Sequence, residues 1–298
     1  MEKKYRRHGF KHIFYADDLK LYASSCVAEI SGLLHRIHLC VTEVNNWITF
    51  NKLVFNPEKT ELLFCGSRIQ LSKVPHDLLI NISNIIIKSS MSVRDLGVHI
   101  DSTMSLKSHV NKVSQTAFTY LRVISRMRHL LNERSTTLLV HSLVLSRLIY
   151  CGSLYYGVNK SEIVQLNRII NYAVRVTKKL GTTDDVSQIS SLLNWPDVTQ
   201  RIIHHVCCII HQVIYHRVPH TLSASIYLNN LSVNTRRGAD QLLLKLPPTK
   251  TNSGRRAFKY CGPYLWNKLP LDIRQIKDKN TFSDKLLLFL INKKEDDM

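Results

Sequence analysis

The chain has little glycine and proline, and it lacks any long apolar run. It contains 10 Gly and 8 Pro in 298 residues, below the usual ~7% and ~5%, while apolar residues make up 44% of the chain. Because glycine and proline interrupt helices, this composition predicts a folded, helix-rich protein and excludes a long disordered one. No apolar run reaches the roughly 18 residues of a membrane span, and no apolar core of a secretory signal follows the basic residues 1–12.

The cysteines form no Cys-Xaa-Xaa-Cys pair, and their number is odd. Both features argue against a disulfide framework and against a zinc ribbon. We therefore expect a reducing compartment, the nucleus or the cytoplasm, and no secretion. The seven are Cys26, Cys40, Cys65, Cys151, Cys207, Cys208 and Cys261.

Acidic residues are scarce relative to basic ones. The chain carries 22 Asp plus Glu against 41 Lys plus Arg, a formal net charge of +19. Such a charge favours a polyanionic partner, because cationic surfaces release counterions from a phosphate backbone regardless of base sequence. Nucleic acid is the expected partner, with an anionic membrane surface as the competing interpretation.

A short segment near the start, Ile13 to Ala23, combines aromatic and aliphatic residues around two adjacent carboxylates, Asp17 and Asp18. The pattern predicts two short strands that turn at Asp17-Asp18, since aspartate tolerates tight-turn backbone angles. Neighbouring carboxylates at such a tip repel each other unless a cation lies between them, and hard divalent cations prefer oxygen ligands. The segment therefore indicates a Mg²⁺ or Mn²⁺ site, with a solvated turn as the alternative.

The residues after this segment predict one helix and then several strands. Apolar residues from Ile30 to Ile48 recur at steps of three and four, which is typical of an amphipathic helix packed under the acidic hairpin. A break at Asn56-Pro57 precedes Lys59 and a strand at 62–65. Further strands are predicted at 79–87 and 93–101, with Gly97 as a bulge or a point of close backbone approach.

From residue 106 to about 131 the apolar period becomes 3.6, which predicts a helix with one buried stripe. Polar and basic residues step by three and four along the opposite face, so they share one exposed side. This face can follow a phosphate backbone, and the alternative is an ordinary solvated surface. The apolar stripe is Val110, Val113, Ala117, Leu121, Ile124 and Met127, and the polar face is Lys112, Gln115, Thr119, Arg122, Arg126 and His129.

Three more helices and a mixed tail complete the chain. The helices are predicted at 135–151, at 159–179 with Asn159 and Glu162 at a cap-like start, and at 199–216. The last contains His204, Cys207, Cys208 and His211, which one helix cannot wrap around a tetrahedral ion, so packing is the better account. In the tail, a strand at 242–246 and a turn at 252–254 precede a final helix carrying Phe282 and Leu286.

Four stretches occur in order along the chain: the Phe14-Tyr15-Ala16-Asp17-Asp18 segment, NPEKTELLF at 56–64, DLGVHID at 95–101, and a tail that runs through Trp266-Asn267-Lys268-Leu269-Pro270. Together they resemble the reverse transcriptases of non-LTR retrotransposons of the jockey/CR1 (LINE) type. The resemblance covers essentially the whole chain. It implies an α+β, helix-rich fold with a partial polymerase palm at 1–104, a helical thumb at 105–181 and a mixed C-terminal region at 182–298.

The resemblance also implies residue roles. Asp17 and Asp18 match the metal-binding aspartates for two Mg²⁺ ions, Tyr15 matches an aromatic beside the primer terminus, and Lys59 matches the proton donor to pyrophosphate. Residues Leu96, Gly97 and Val98 fall in the hairpin that grips the primer. Lys112, Gln115, Arg122 and Arg126 would lie along a duplex of RNA template and DNA primer, read mainly by shape and phosphates.

One departure from the family bears on activity. Two-metal phosphoryl transfer needs carboxylates on both sides of the ion pair, and in this family a further aspartate comes from a strand upstream of the hairpin. None of the 16 residues before Asp17 is an aspartate. We therefore expect a truncated enzyme that is inactive alone and uses dNTPs only when missing segments complete it. The alternatives are a non-catalytic RNA- or DNA-binding module derived from a mobile element and a helical scaffold that binds protein.

Overall fold

The computed structural model describes residues 2–54, 56–75, 79–82, 85–181, 184–186, 195–228 and 242–292. These residues belong to two compact units, unit 1 at Met1–Ser108 and unit 2 at His109–Met298. Unit 1 combines helices with small sheets, and the described part of unit 2 is helical apart from one isolated bridge. The predicted α+β, helix-rich class is confirmed, while the palm and thumb regions and their boundaries stay predictions.

The long helix of unit 1 organises its core, as the apolar period predicts. Leu33, Cys40 and Val44 on this helix are buried, and Leu19 and Leu21 of the acidic hairpin pack against that cluster. The unit contains α1 (Glu2–Arg7), β1 (Lys11–Tyr15), β2 (Asp18–Tyr22), α2 (Ile30–Phe50), β3 (Leu62–Leu63), α3 (Arg68–Leu71), β4 (Leu79–Ile82), β5 (Ile85–Ser90), β6 (Ser92–Asp95) and β7 (Val98–Asp101).

Two segments of unit 1 that the sequence predicts as single strands are each an antiparallel pair of shorter strands. The single strand predicted at 79–87 is an antiparallel pair, β4 with β5, and the two-residue β3 runs parallel to β5. The single strand predicted at 93–101 is the antiparallel pair of β6 and β7. The predicted bulge at Gly97 is wrong: Leu96 and Gly97 form the hairpin turn, with φ angles of 44° and 85°, and glycine adopts such positive angles at little cost.

The helices of unit 2 match the predicted segments closely, with one irregularity. The segment predicted as one helix at 135–151 contains a π-helical turn, His141–Leu145, between two α-helical parts. The described helices are α4 (Lys107–Met127, which begins at the end of unit 1), α5 (Glu133–Val140), α6 (Ser146–Ile149), α7 (Lys160–Lys178), α8 (Val198–His216), α9 (His220–Ser223), α10 (Asn252–Arg256), α11 (Phe258–Asn267), α12 (Leu271–Arg274) and α13 (Lys279–Asn292).

Helix α8 lies at the centre of the described core of unit 2 and contacts α7, α11 and α13. Val206, Cys207 and Ile210 of α8 are fully buried. A Cβ atom at Gly262 of α11 would lie 2.6 Å from the Ile210 Cδ1 atom, so the absence of a side chain allows the two helices to approach. This contact buries apolar area, which is the main stabilising contribution to such a core.

The Trp-Asn tail motif has a structural role. Trp266 is fully buried, and its Nε1–H donates to the Leu242 carbonyl at 2.8 Å. The Asn267 side chain pairs with both backbone groups of Leu244, accepting from the N–H and donating to the carbonyl, each at 2.8 Å. A side chain thereby satisfies backbone groups that a neighbouring strand would otherwise satisfy.

Several local predictions in unit 2 are corrected. The strand predicted at 242–246 is only an isolated bridge between Leu228 and Leu244, and the turn predicted at 252–254 is the start of α10. Met127, predicted in the buried stripe of α4, is 45% exposed because it is the last residue of the helix. Asn159 precedes α7 but makes no side-chain capping bond.

Candidate nucleic-acid interface

The acidic hairpin forms as predicted, with its turn displaced by one residue. Tyr15 pairs with Asp18 across the end of β1 and β2, so the two-residue loop is Ala16-Asp17 rather than Asp17-Asp18. Ala16 has a φ of 52°, a left-handed angle in the first loop position that suits the twist of a tight hairpin. Asp17 and Asp18 are both exposed, so the hairpin presents two carboxylates to solvent.

The two faces of the hairpin differ in burial. Successive strand residues point to opposite faces, and the face with Leu19 and Leu21 packs on the core of unit 1. Asp18 and Tyr15, a cross-strand pair, lie on the other face, where Tyr15 is 62% exposed. The core contact of the leucines therefore turns Tyr15 and Asp18 outward.

An ion pair joins the acidic hairpin to the second predicted site hairpin. The Lys20 ammonium of β2 lies 2.5 Å from an Asp95 carboxylate oxygen at the end of β6. Asp95 directly precedes the Leu96-Gly97 turn, whose residues are exposed, whereas Val98 is buried at 4% exposure. The structure thus brings together two segments that lie about 75 residues apart in the sequence, and the Leu96-Gly97 turn is the part of the second hairpin that faces solvent.

The segment that follows β7 is held by one carboxylate. Asp101 is buried, and its Oδ1 accepts hydrogen bonds from the Thr103 hydroxyl at 2.7 Å and the Ser105 N–H at 2.9 Å. Burial alone would raise the pKa of the Asp101 carboxyl, but hydrogen bonds from Thr103 and Ser105 outweigh it and hold the pKa below its ordinary value. Asp101 therefore stays ionised as a structural cap at the end of unit 1.

The predicted metal ligands, Asp17 and Asp18, and the predicted proton donor, Lys59, are all exposed. Within the described ranges, no group of three or more His, Cys, Asp or Glu side chains lies close enough to hold a metal ion. Lys59 is exposed at the end of a 3₁₀ turn, Pro57–Lys59, and makes no ion pair with Asp17 or Asp18. The Mg²⁺ site at Asp17 and Asp18 and the role of Lys59 stay predictions.

Helix α4 presents the polar face that its sequence predicts. All six predicted face residues are exposed, while Val110, Ala117 and Leu121 on the opposite side are fully buried. No acidic residue occurs between residues 107 and 131, so the charge on this helix is entirely positive. The face is Lys112, Gln115, Thr119, Arg122, Arg126 and His129, named the α4 basic face below.

Helix α7 carries a second cationic surface that the sequence analysis missed. Arg168 and Arg175 are seven residues apart, a spacing that places them on one side of α7, and Lys179 is the residue directly after the end of the helix. The side chain of Gln165 on α7 donates to Asn111 of α4 at 3.2 Å, and Tyr172 lies 6.1 Å from the Phe118 ring. The two cationic surfaces therefore belong to neighbouring helices.

The histidines and cysteines of α8 pack against other helices. His204 contacts the Ser283 carbonyl and hydroxyl at 3.1 Å, and His211 donates to the Ile276 carbonyl at 2.8 Å. The His211 ring also stacks on Phe282 with centroids 4.2 Å apart. Burial lowers the pKa of both imidazoles, which favours their neutral forms.

Comparison with protein-family models, curated proteins and solved structures found no match. In the part of the chain that the structure describes, every helix is too short or too polar to cross a bilayer.

Proposed function

We propose that the chain is part of an RNA-directed DNA polymerase, a reverse transcriptase, of a non-LTR retrotransposon. In this proposal unit 1 contributes the acidic hairpin, with Asp17 and Asp18 as ligands for Mg²⁺, and unit 2 contributes a helical surface for the duplex of RNA template and DNA primer. Tyr15 lies beside the primer end, and Leu96 and Gly97 contact the primer strand. Lys59 donates a proton to the leaving pyrophosphate.

The observation that carries the proposal is the ion pair between Lys20 and Asp95. It holds the exposed Tyr15-Ala16-Asp17-Asp18 turn near the exposed Leu96-Gly97 turn, the two turns to which the family resemblance gives neighbouring roles. The α4 basic face supports the same proposal independently, because its three cationic side chains, Lys112, Arg122 and Arg126, lie with polar groups on one side of a helix and suit a phosphate backbone.

The proposal expects no polymerisation by this chain alone. Two-metal nucleotidyl transfer requires carboxylates on both sides of the ion pair, and Asp17 and Asp18 supply one side. In a primer-extension assay with Mg²⁺ and an RNA template, we expect no template-dependent product from the purified chain. Synthesis that disappears in the Asp17→Ala/Asp18→Ala variant would overturn the inactive assignment and retain the polymerase one.

A non-catalytic nucleic-acid-binding module is the second candidate. The absence of any acidic residue from 107 to 131 favours it, since that feature serves binding whether or not the carboxylates function. The two candidates differ in their use of Mg²⁺ at the hairpin. Titration of Mn²⁺ monitored by paramagnetic broadening at residues 15–20 separates them: broadening lost in Asp17→Asn/Asp18→Asn favours the polymerase fragment, and no broadening favours the module.

A further inference from the structure

A cavity of about 700 Å³ lies on unit 2 between α4 and α7. Its size falls within the ~300–1,000 Å³ typical of ligand pockets. None of its lining residues is acidic, and four carry a positive charge. The residues that matter for its chemistry are Arg128, Arg168, Arg175, Lys179, Asn171 and Tyr172.

Two of the four cations hold the walls of the cavity. Arg128 donates to the Val176 and Thr177 carbonyls, each at 2.9 Å, near the C-terminal end of α7. Arg175 donates to the Asp184 carbonyl at 3.1 Å. Their guanidinium groups therefore satisfy backbone carbonyls, and among the residues that the structure describes neither group pairs with a carboxylate, so both keep their charge at the cavity wall.

The other two cations are available to a ligand. Arg168 and Lys179 are exposed, and in the described part of the chain their side chains make no hydrogen bond or ion pair. A cation near a helix C-terminus is favourable for the helix itself, which accounts for the position of Lys179. Arg168 is the ninth of the 19 residues of α7, too far from the end for this effect, so its position in the cavity has no such structural explanation.

An aromatic ring completes the set. Tyr172 lines the cavity beside these cations, and the Phe118 ring, 6.1 Å away, supports it from α4. Cations that track a backbone combined with an aromatic ring on which a base stacks are the features of single-strand binding sites. We propose that this cavity binds a short stretch of a single nucleic-acid strand, with one phosphate on Arg168, a second phosphate on Lys179 and a base between them against Tyr172.

This inference rests on the proposed nucleic-acid function and adds a single-strand site beside the duplex surface of α4. The test is fluorescence anisotropy of the full chain with a single-stranded RNA 12-mer and with a blunt RNA/DNA duplex. In Arg168→Ala/Lys179→Ala we expect roughly tenfold weaker binding of the single strand at 0.15 M salt, from two lost phosphate contacts, and less than a twofold change for the duplex. Lys259→Ala/Lys285→Ala, which removes two exposed charges from α11 and α13, is the matched control.

The possible outcomes distinguish failure of the single-strand site from failure of the proposed nucleic-acid function. Equal loss for both probes overturns the single-strand assignment. Unchanged single-strand binding, while Arg122→Ala/Arg126→Ala weakens the duplex, overturns the cavity site and leaves the proposed function intact. Unchanged binding in both variants overturns both.

A second measurement uses the unmodified chain and does not depend on the variants folding. Acylation of the Lys179 amine should slow when the RNA 12-mer is bound, whereas Lys285 should react at the same rate. Equal reactivity of Lys179 with and without RNA contradicts the proposal. Protection of Lys179 by phosphatidylserine vesicles, without protection by RNA, would instead assign the cavity to a membrane headgroup and likewise overturn it.

Discussion

Replacing Arg122 and Arg126 by alanine tests the α4 basic face directly. The two residues lie one helical turn apart, both are exposed, and no carboxylate occurs on the helix to neutralise them. Arg122 uses its Nε–H to donate to the Phe118 carbonyl at 3.2 Å, one of its five N–H donors. Its remaining donors can therefore contact a phosphate without breaking that bond.

The expected effect follows from counterion release. Each phosphate contact on a duplex contributes about 0.9 to the slope of log affinity against log salt. Loss of two contacts should flatten the slope by about 1.8 and weaken binding roughly 30-fold at 0.15 M salt, which corresponds to about 2 kcal/mol. The loss should be the same for duplexes of different sequence, because the contacts do not involve base edges.

Titration of a labelled RNA/DNA duplex at four salt concentrations measures both quantities. Substitution of exposed residues should change the free energy of unfolding by no more than about 0.5 kcal/mol, which a thermal melt followed by circular dichroism checks. Lys259→Ala/Lys285→Ala again supplies the control for net charge. An unchanged slope in Arg122→Ala/Arg126→Ala, with both proteins folded, would refute the assignment of this face to nucleic acid.

Three further predictions concern the hairpin and the core of unit 2. Asp17→Ala/Asp18→Ala should retain duplex affinity within about threefold in the same titration, because carboxylates do not attract phosphates; a tenfold loss would contradict separate roles for the hairpin and α4. Burial lowers the pKa of His211 in the folded state, so the unfolded chain takes up the proton first. The stability contribution is complete above the unfolded pKa of about 6.5 and falls as the pH drops through it, and thermal melts between pH 8 and pH 5 should show this slope reduced in His211→Phe. Leu121 is fully buried and Leu138 is 69% exposed, so Leu121→Ala should lower the free energy of unfolding by about 2–5 kcal/mol while Leu138→Ala changes it by less than about 0.5 in urea titrations.

Helix positions were predictable because burial repeats along the chain. The stripe at 30–48 predicts α2, and the stripe at 110–124 predicts α4 with its exposed face. A helix that buries one side must repeat apolar residues every three or four positions, so local sequence carries enough information. Helix α4 ends at Met127, before the predicted end near residue 131, and Met127 is exposed because no further helical turn follows it.

Strand turns were less predictable for a physical reason. The apolar residues between Val93 and Ile100 predict one continuous strand, yet the chain reverses at Leu96-Gly97 because both residues adopt positive φ angles. The same applies at Ala16, where an alanine adopts a left-handed angle that sequence preference would give to asparagine or glycine. Pairing with the neighbouring strand, together with packing of Leu19 and Leu21 on α2, outweighs these local preferences.

The sequence by itself determined the positive charge, the adjacent carboxylates of Asp17 and Asp18 and the one-sided polar face of α4, because composition and helical period are properties of local sequence. Only the tertiary structure decided that Lys20 pairs with Asp95 and that the end of α4, with Ser125 and Arg128, closes a cavity beside Arg168 and Tyr172 of α7. Contacts between residues far apart in the chain depend on how helices and hairpins pack, and no periodicity within one segment encodes that packing.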